Sequence, residues 1–185
     1  MKLDHESEWI ADVARAVSPN ADARPKDIEI NLLVIHSISL PPKQYGGDYI
    51  EALFTNSLDS SLHPYFEGIA GLKVSAHVLV RRDGSFVQFV PFSKRAWHAG
   101  VSHFDGRERC NDFSIGVELE GCDDEPFELI QYKRLAALTT LLIDAYPSIS
   151  HDRIVGHSDI APGRKTDPGP YFDWHYFRSL LGSLG

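Results

Sequence analysis

The chain has 185 residues, a formal net charge of −8, and ordinary proportions of hydrophobic (43%) and charged (24%) residues, a profile of one globular domain large enough to bury its own core. The acidic balance argues against a general nucleic-acid or anionic-membrane binder; an anionic ligand would have to meet a local basic cluster, for which Lys94, Arg95, Arg107, Arg109, Arg164 and Lys165 are candidates. Two cysteines, Cys110 and Cys122, without a CxxC pair, are too few for a disulfide scaffold or a thiolate zinc site and suit a reducing compartment.

The acidic amino-terminal segment, with Asp4, Glu6, Glu8 and Asp12, has neither the apolar run nor the small-residue cleavage site of a signal peptide. No stretch approaches the ~20 apolar residues of a membrane span, so a cytoplasmic protein with no membrane contact is expected. Trp9, Ile10, Val13 and Val17 recur at helical spacing and predict a short amphipathic helix over 6–17. IEINLLVIH (28–36) is nearly continuously apolar, the pattern of a strand buried on both faces, and it ends in His36. Residues 37–47 read as a loop, and 48–56 and 64–70 as short helices.

Two strands are predicted in 75–92 around Asp83-Gly84, a strong hairpin signal. The long loop 93–112 follows, with Trp97-His98-Ala99-Gly100; loops of that length inside compact domains usually carry function. FSIGVELEG (113–121) alternates, Ile115, Val117 and Leu119 to one face and Ser114, Gly116, Glu118 and Glu120 to the other. Tyr132, Leu135, Ala136, Thr139, Leu142, Ile143 and Tyr146 keep a 3.6-residue period, a long helix laid on a sheet. RIVGH (153–157) is a short strand, and Trp174 to Leu181 a closing helix. These elements predict a single α/β domain, a mixed central sheet flanked by helices, over residues 1–185.

GHSDIAPGRKTDPGP (156–170) sets His157, Asp159, Lys165 and Asp167 among three prolines, which fix φ and remove backbone donors, so it reads as a rigid loop. His36 and His157 each follow an apolar strand, and neighbouring strands would bring them together at one sheet edge with Asp167. Two imidazoles and a carboxylate are a set known from catalytic zinc sites, though spacing alone is a weak signal, without HExxH or paired cysteines. Glu118 fits a proton acceptor in a cleft or a solvated strand residue, and periodicity does not choose between the two. Lys165 fits an oxyanion stabiliser or an exposed lysine. His98 could touch a substrate, while His77, in mid-strand, reads as a packed residue.

LLVIHSISLPP, SAHVLVRRDG, RAWHAGVS, GRERCNDFSIGVELEG and GHSDIAPGRKTDPGP, in this order, resemble the zinc-dependent N-acetylmuramoyl-L-alanine amidases, in particular their cytoplasmic members that act on 1,6-anhydro-muropeptides. The wider family includes phage lysozyme-type amidases and peptidoglycan recognition proteins, and the resemblance covers about residues 30–175. It implies that His36, His157 and Asp167 hold zinc, that Glu118 accepts the proton, and that Lys165 stabilises the transition state. It places Tyr65, Trp97, Arg109 and Asp159 near the substrate. The implied partner is a small soluble muropeptide, with no obligate protein partner. Ser37 departs from the pattern, which has asparagine there; this touches a substrate hydrogen bond rather than the metal. A non-catalytic module binding peptidoglycan fragments, or an envelope amidase acting on polymeric wall, are the competing readings.

Overall fold

The structure, a computed structural model, describes residues 1–182. Its centre is a six-stranded mixed sheet built from β1 (Ala14–Arg15), β2 (Leu32–Ile38), β3 (Val78–Val80), β4 (Phe86–Gln88), β5 (Ser114–Glu120) and β6 (Ile154–Gly156). The order across the sheet is β6-β2-β5-β3-β4-β1. The first four strands in that order run parallel, β3 and β4 form the antiparallel hairpin, and β1 pairs in parallel with β4 at the edge. β2, with a parallel neighbour on each side, is covered on both faces, as its unbroken apolar run requires.

One face of the sheet carries the main core. Leu33 and Ile35 of β2 and Ile115, Val117 and Leu119 of β5 pack against α3 (Leu129–Ala145) and α5 (Trp174–Gly182) through Leu135, Leu138, Leu142 and Phe177. A fully buried side chain of this size contributes about 1.5–3 kcal/mol relative to an exposed one. Gln131, buried in the first turn of α3, donates from Nε2 to the carbonyls of Val80 and Glu120, which ties the helix to the ends of β3 and β5. The opposite face is covered by α1 (Tyr49–Phe54), α2 (Pro64–Glu67) and the segment 97–113.

Residues 6–17 do not form the helix their spacing predicts. Glu8 and Asp12 take left-handed backbone conformations, at φ 55° and 60°, which interrupt a right-handed helix. Ala14 and Arg15 instead pair with Val87 and Gln88, and Ile10 donates its N–H to Gln88 Oε1 at 2.7 Å. The polar face of β5 is not solvated either: Ser114 and Glu120 are buried. The loop after β4 is more regular than expected, since Lys94–Ala96 pairs antiparallel with Ala21–Ala23 and His103–Phe104 with Arg107–Glu108. Arg95 bridges Asp22 and Asp112, and Arg24 donates to the carbonyls of Phe92, Asn111, Asp112 and Ser114. These charge-assisted bonds tie the segment 93–112 to Asp22 and Arg24.

Candidate active site

The parallel register of β2 and β5 sets Glu118 directly beside His36. In a parallel pair, registered residues point to the same face, so both side chains leave the sheet towards the segment 97–113. β6 lies on the other side of β2, pairing Gly156 with Ile35, and the next residue, His157, opens the single helical turn α4 (His157–Ile160). The motif expected to be an irregular loop therefore begins with one helical turn before its first proline. Asp159 supports that turn: its Oδ2 accepts the Gly156 N–H at 2.7 Å, satisfying one of the donors a helix start leaves free.

The chain after α4 turns back on itself. Arg164 and Lys165 both donate their N–H to the Ala161 carbonyl, and Ser158 N–H donates to the Asp167 carbonyl at 3.0 Å. Gly169, at φ +82°, lies so close to Asp123 that a Cβ there would come 2.4 Å from the Asp123 Cα. The Asp123 carboxylate accepts from Ser37 Oγ at 2.9 Å and from Thr166 Oγ1. Ser37 is thus bonded to the loop after β5, and that loop is in turn bonded to the one bearing Lys165 and Asp167.

The three expected ligands meet. His36 Nδ1 and His157 Nδ1 are 2.9 Å apart, and Asp167 Oδ2 lies 3.1 Å from the first and 3.0 Å from the second. His157 Nε2 is 3.1 Å from the carbonyl of Ala99. A carbonyl only accepts, and the Arg164 Nη2 donor, farther off at 3.4 Å, is already engaged by the carbonyls of Ala99 and Val101, so the ring proton sits on Nε2 and Nδ1 presents a lone pair. Asp167 adds a carboxylate oxygen to the same point. Acceptors packed this closely repel one another unless a cation lies between them. A triangle so spaced has its centre about 1.7 Å from each atom, and a point about 1 Å off its plane lies about 2 Å from all three, the usual zinc–nitrogen and zinc–oxygen distance. The donor set and its spacing fit zinc.

Burial shapes the charges here. It lowers the His36 imidazole to about 4, with Asp167 opposing and His157 reinforcing the shift. Burial works to raise the Asp167 carboxyl, yet the two imidazoles beside it hold it well below the ordinary carboxylate range. Glu118 moves the other way: burial, then the Asp167 charge, push its carboxyl well above the usual value, with Lys165 opposing. Its Oε2 is buried without a hydrogen-bond partner among the described residues. A carboxylate left so is poised to take a proton rather than to brace the fold.

These groups form the polar end of a cleft of about 500 Å³. Its lining includes His36, Glu118, His157, Lys165 and Asp167, and among its apolar and aromatic residues Leu53, Phe54, Tyr65, Ile69, Leu72 and Trp97. Tyr65 and Trp97 are therefore brought to the cleft. Arg109 and Asp159 are not. Asp159 is exposed and bonded to the Gly156 amide. Arg109 lies in a separate hollow with Val101, His103, Pro162 and Arg164, its Nε 3.5 Å from Asp112 Oδ2. The family resemblance placed both near the substrate, because they lie in matching segments, but neither lines this cleft.

Sequence reasoning missed the use made of His98. Its Nδ1 lies 2.9 Å from His36 Nε2, and Gly116 makes room for the ring: a Cβ there would stand 2.4 Å from the His98 Cγ. A glycine between Ser114 and Glu118 on one strand face was the available signal of a close approach. His77 is packed as expected, its Nδ1 accepting the Gly116 N–H and its Nε2 facing the Lys94 carbonyl.

The sequence profile of the N-acetylmuramoyl-L-alanine amidases matches residues 26–170. The chain is 59% identical to 1,6-anhydro-N-acetylmuramyl-L-alanine amidase AmpD of Citrobacter freundii, over 94% of this chain and 92% of that one. It is 58% identical to the Escherichia coli K12 enzyme of the same name, over 95% and 96%. A crystal structure of a selenomethionine AmpD derivative superposes with a TM-score of 0.94 at 58% identity, over 98% of this chain and 99% of that one. Escherichia coli AmiD, solved with the substrate anhydro-N-acetylmuramic acid-L-Ala-D-gamma-Glu-L-Lys, superposes with a TM-score of 0.60 at 31% identity, over 85% and 60%. Every residue at the polar end of the cleft falls inside the matched span, and the chain belongs to the N-acetylmuramoyl-L-alanine amidase family, hydrolases of an amide bond.

Proposed function

We propose that the chain cleaves the amide between 1,6-anhydro-N-acetylmuramic acid and L-alanine in small soluble muropeptides, as a zinc enzyme of cytoplasmic cell-wall recycling. The observation that carries this reading is the convergence of His36 Nδ1, His157 Nδ1 and Asp167 Oδ2 in the cleft where Glu118 Oε2 has no partner. The anhydro-muramyl substrate is supported by the names of the relatives near 58% identity and by the AmiD complex. The cytoplasmic setting is supported by two free cysteines, one buried, and by the absence among the described residues of a helix long and apolar enough to cross a membrane.

His36, His157 and Asp167 would hold the ion and leave its remaining position open. Zinc, when bound, supplies Lewis acidity, which polarises a carbonyl and acidifies water towards neutral pH. Glu118, raised in pKa and unpartnered, takes the proton from the attacking water and returns it to the alanine nitrogen as the C–N bond breaks. The Lys165 ammonium, lining the same cleft, stabilises the negative charge that develops on the lactyl carbonyl oxygen. Trp97 and Tyr65 offer aromatic faces for the compact bicyclic sugar and the peptide stem. Arg109 and Asp159 are given no substrate contact in this scheme, and no nucleic acid, membrane or obligate protein partner is part of it.

Purified protein, analysed for metal and incubated in parallel with a defined anhydro-muropeptide and with intact sacculi, tests the proposal. One zinc per chain and release of peptide from the anhydro-muropeptide only are expected. Zinc-free protein that binds the fragment without cutting it would make this a recognition module. Comparable release from sacculi would make it an envelope amidase.

A further inference from the structure

We infer that the dipeptide His98–Ala99 orients both ligand histidines, and that His98, anchored by Ser114, keeps the His36 proton on Nε2 so that Nδ1 faces the metal. This rests on the zinc reading above and assigns a positioning role to residues outside the ligand set.

The direction of the hydrogen-bond chain follows from its far end. Ser114 Oγ lies 2.6 Å from the Cys110 carbonyl, which can only accept, so the hydroxyl proton lies between them. The Ser114 oxygen is then the acceptor for His98 Nε2, at 3.1 Å. With its proton on Nε2, His98 offers a bare Nδ1 to His36 Nε2, at 2.9 Å. His36 must donate there, and its Nδ1 is left as a lone pair among His157 Nδ1 and Asp167 Oδ2. Run the other way, the chain would put a proton on His36 Nδ1, where the ion belongs. A serine hydroxyl two residues from Gly116 thus selects the tautomer of a metal ligand on the neighbouring strand.

The next residue does the same for the second ligand, since the Ala99 carbonyl accepts from His157 Nε2. Arg164 Nη2 also donates to that carbonyl, at 2.6 Å, and fixes its direction. The backbone of the dipeptide is clamped at one point: Asn111 Oδ1 accepts from the N–H of His98 at 3.1 Å and of Ala99 at 2.7 Å. Gly116 supplies the floor, because any side chain there would occupy the space of the His98 ring. Partners of this kind fix ring orientation and raise ligand basicity, and losing one typically costs 10–100-fold in metal affinity.

The test uses the full chain loaded with zinc, with competition against a chromophoric chelator for affinity and nitrogen-15 NMR of the imidazoles for proton placement. In the wild type, His98 should show a protonated Nε2 and a bare Nδ1. His98→Leu should lower zinc affinity on the order of 10–100-fold. His98→Asn should restore most of it, because an amide oxygen can accept from His36 Nε2. Ser114→Ala, which keeps the His98 ring and covers the case in which His98→Leu does not fold, should weaken zinc binding and shift the His98 proton towards Nδ1. His98 protonated on Nδ1 in the wild type, or wild-type affinity in both His98→Leu and Ser114→Ala, would overturn the inference and leave the zinc reading standing. A wild-type chain that takes up no zinc would overturn both.

Discussion

Glu118→Gln exchanges one carboxylate oxygen for an amide group of nearly the same shape, so the packing of β5 and the three ligand atoms should stay as they are. The exchange removes the base. Because Glu118 Oε2 has no hydrogen-bond partner among the described residues, the exchange breaks no bond there. A missing general base costs about 10²–10⁴-fold, or roughly 2.7–5.4 kcal/mol of transition-state stabilisation. We expect kcat to fall by at least ~10² with KM little changed. Steady-state cleavage of an anhydro-muropeptide, with zinc measured on the same samples, gives the answer. The same substitution carries a stability signature. In the metal-free protein the Glu118 carboxyl titrates well above its ordinary value of 4.5, through burial and the Asp167 charge. The folded state then keeps a proton that the unfolded chain has lost, so wild-type stability falls as pH rises from that value through the folded pKa. Glu118→Gln cannot titrate, so denaturant melts of the metal-free proteins should converge near pH 4 and favour the variant increasingly towards neutrality. A zinc-loaded variant with kcat within about threefold of wild type would refute the base assignment, and parallel pH profiles would refute the burial argument.

Other perturbations separate the remaining parts. His157→Ala should lose zinc by elemental analysis, and chelation of the wild type should abolish cleavage until zinc is returned, because three protein ligands leave no redundancy. Lys165→Ala should lower kcat by roughly 10²-fold while metal content stays full, as expected for the loss of one oxyanion-stabilising charge. Trp97→Ala should narrow the rate advantage of anhydro-muropeptides over intact sacculi, read by chromatography of the released peptides; an unchanged ratio would remove Trp97 from sugar recognition. Gly169→Ala places a Cβ 2.4 Å from the Asp123 Cα at a φ of +82°, and should cost on the order of 1–3 kcal/mol in a denaturant melt. It should also lower activity by shifting Asp167.

Much of the architecture was legible before folding because it rests on local pattern. The unbroken apolar run of β2, the Asp83-Gly84 turn and the 3.6-residue period of α3 each specify an element whatever lies around it. The prolines after α4 likewise announce a stiff loop. Residues 6–17 misled for the same reason that these succeeded: four apolar residues at helical spacing are a local signal. Val17 ends exposed at 67%, and the segment is held by bonds to Val87, Gln88 and Phe89 some seventy residues on.

At the site, the sequence by itself determined the reagents: two histidines each following an apolar strand, an aspartate and a lysine on a stiffened loop, and a glutamate on an alternating strand. Glu118 and Glu120 share one strand face, and nothing in their order distinguishes them. Tertiary structure does. Glu120 is buried with its carboxylate accepting the amides of Gly46 and Arg82, whereas Glu118 falls in register with His36 and keeps an unpaired oxygen. Asp159 is taken up by a helix start, and Arg109 lies beside Asp112 and lines a different hollow. Proton direction was beyond the sequence altogether, because it is set by a carbonyl at Cys110, a hydroxyl at Ser114 and a ring at His98 that meet only when the long loop closes over β5. Periodicity reports which face of an element a residue occupies; which partner completes its hydrogen bonds is decided by contacts distant in the chain.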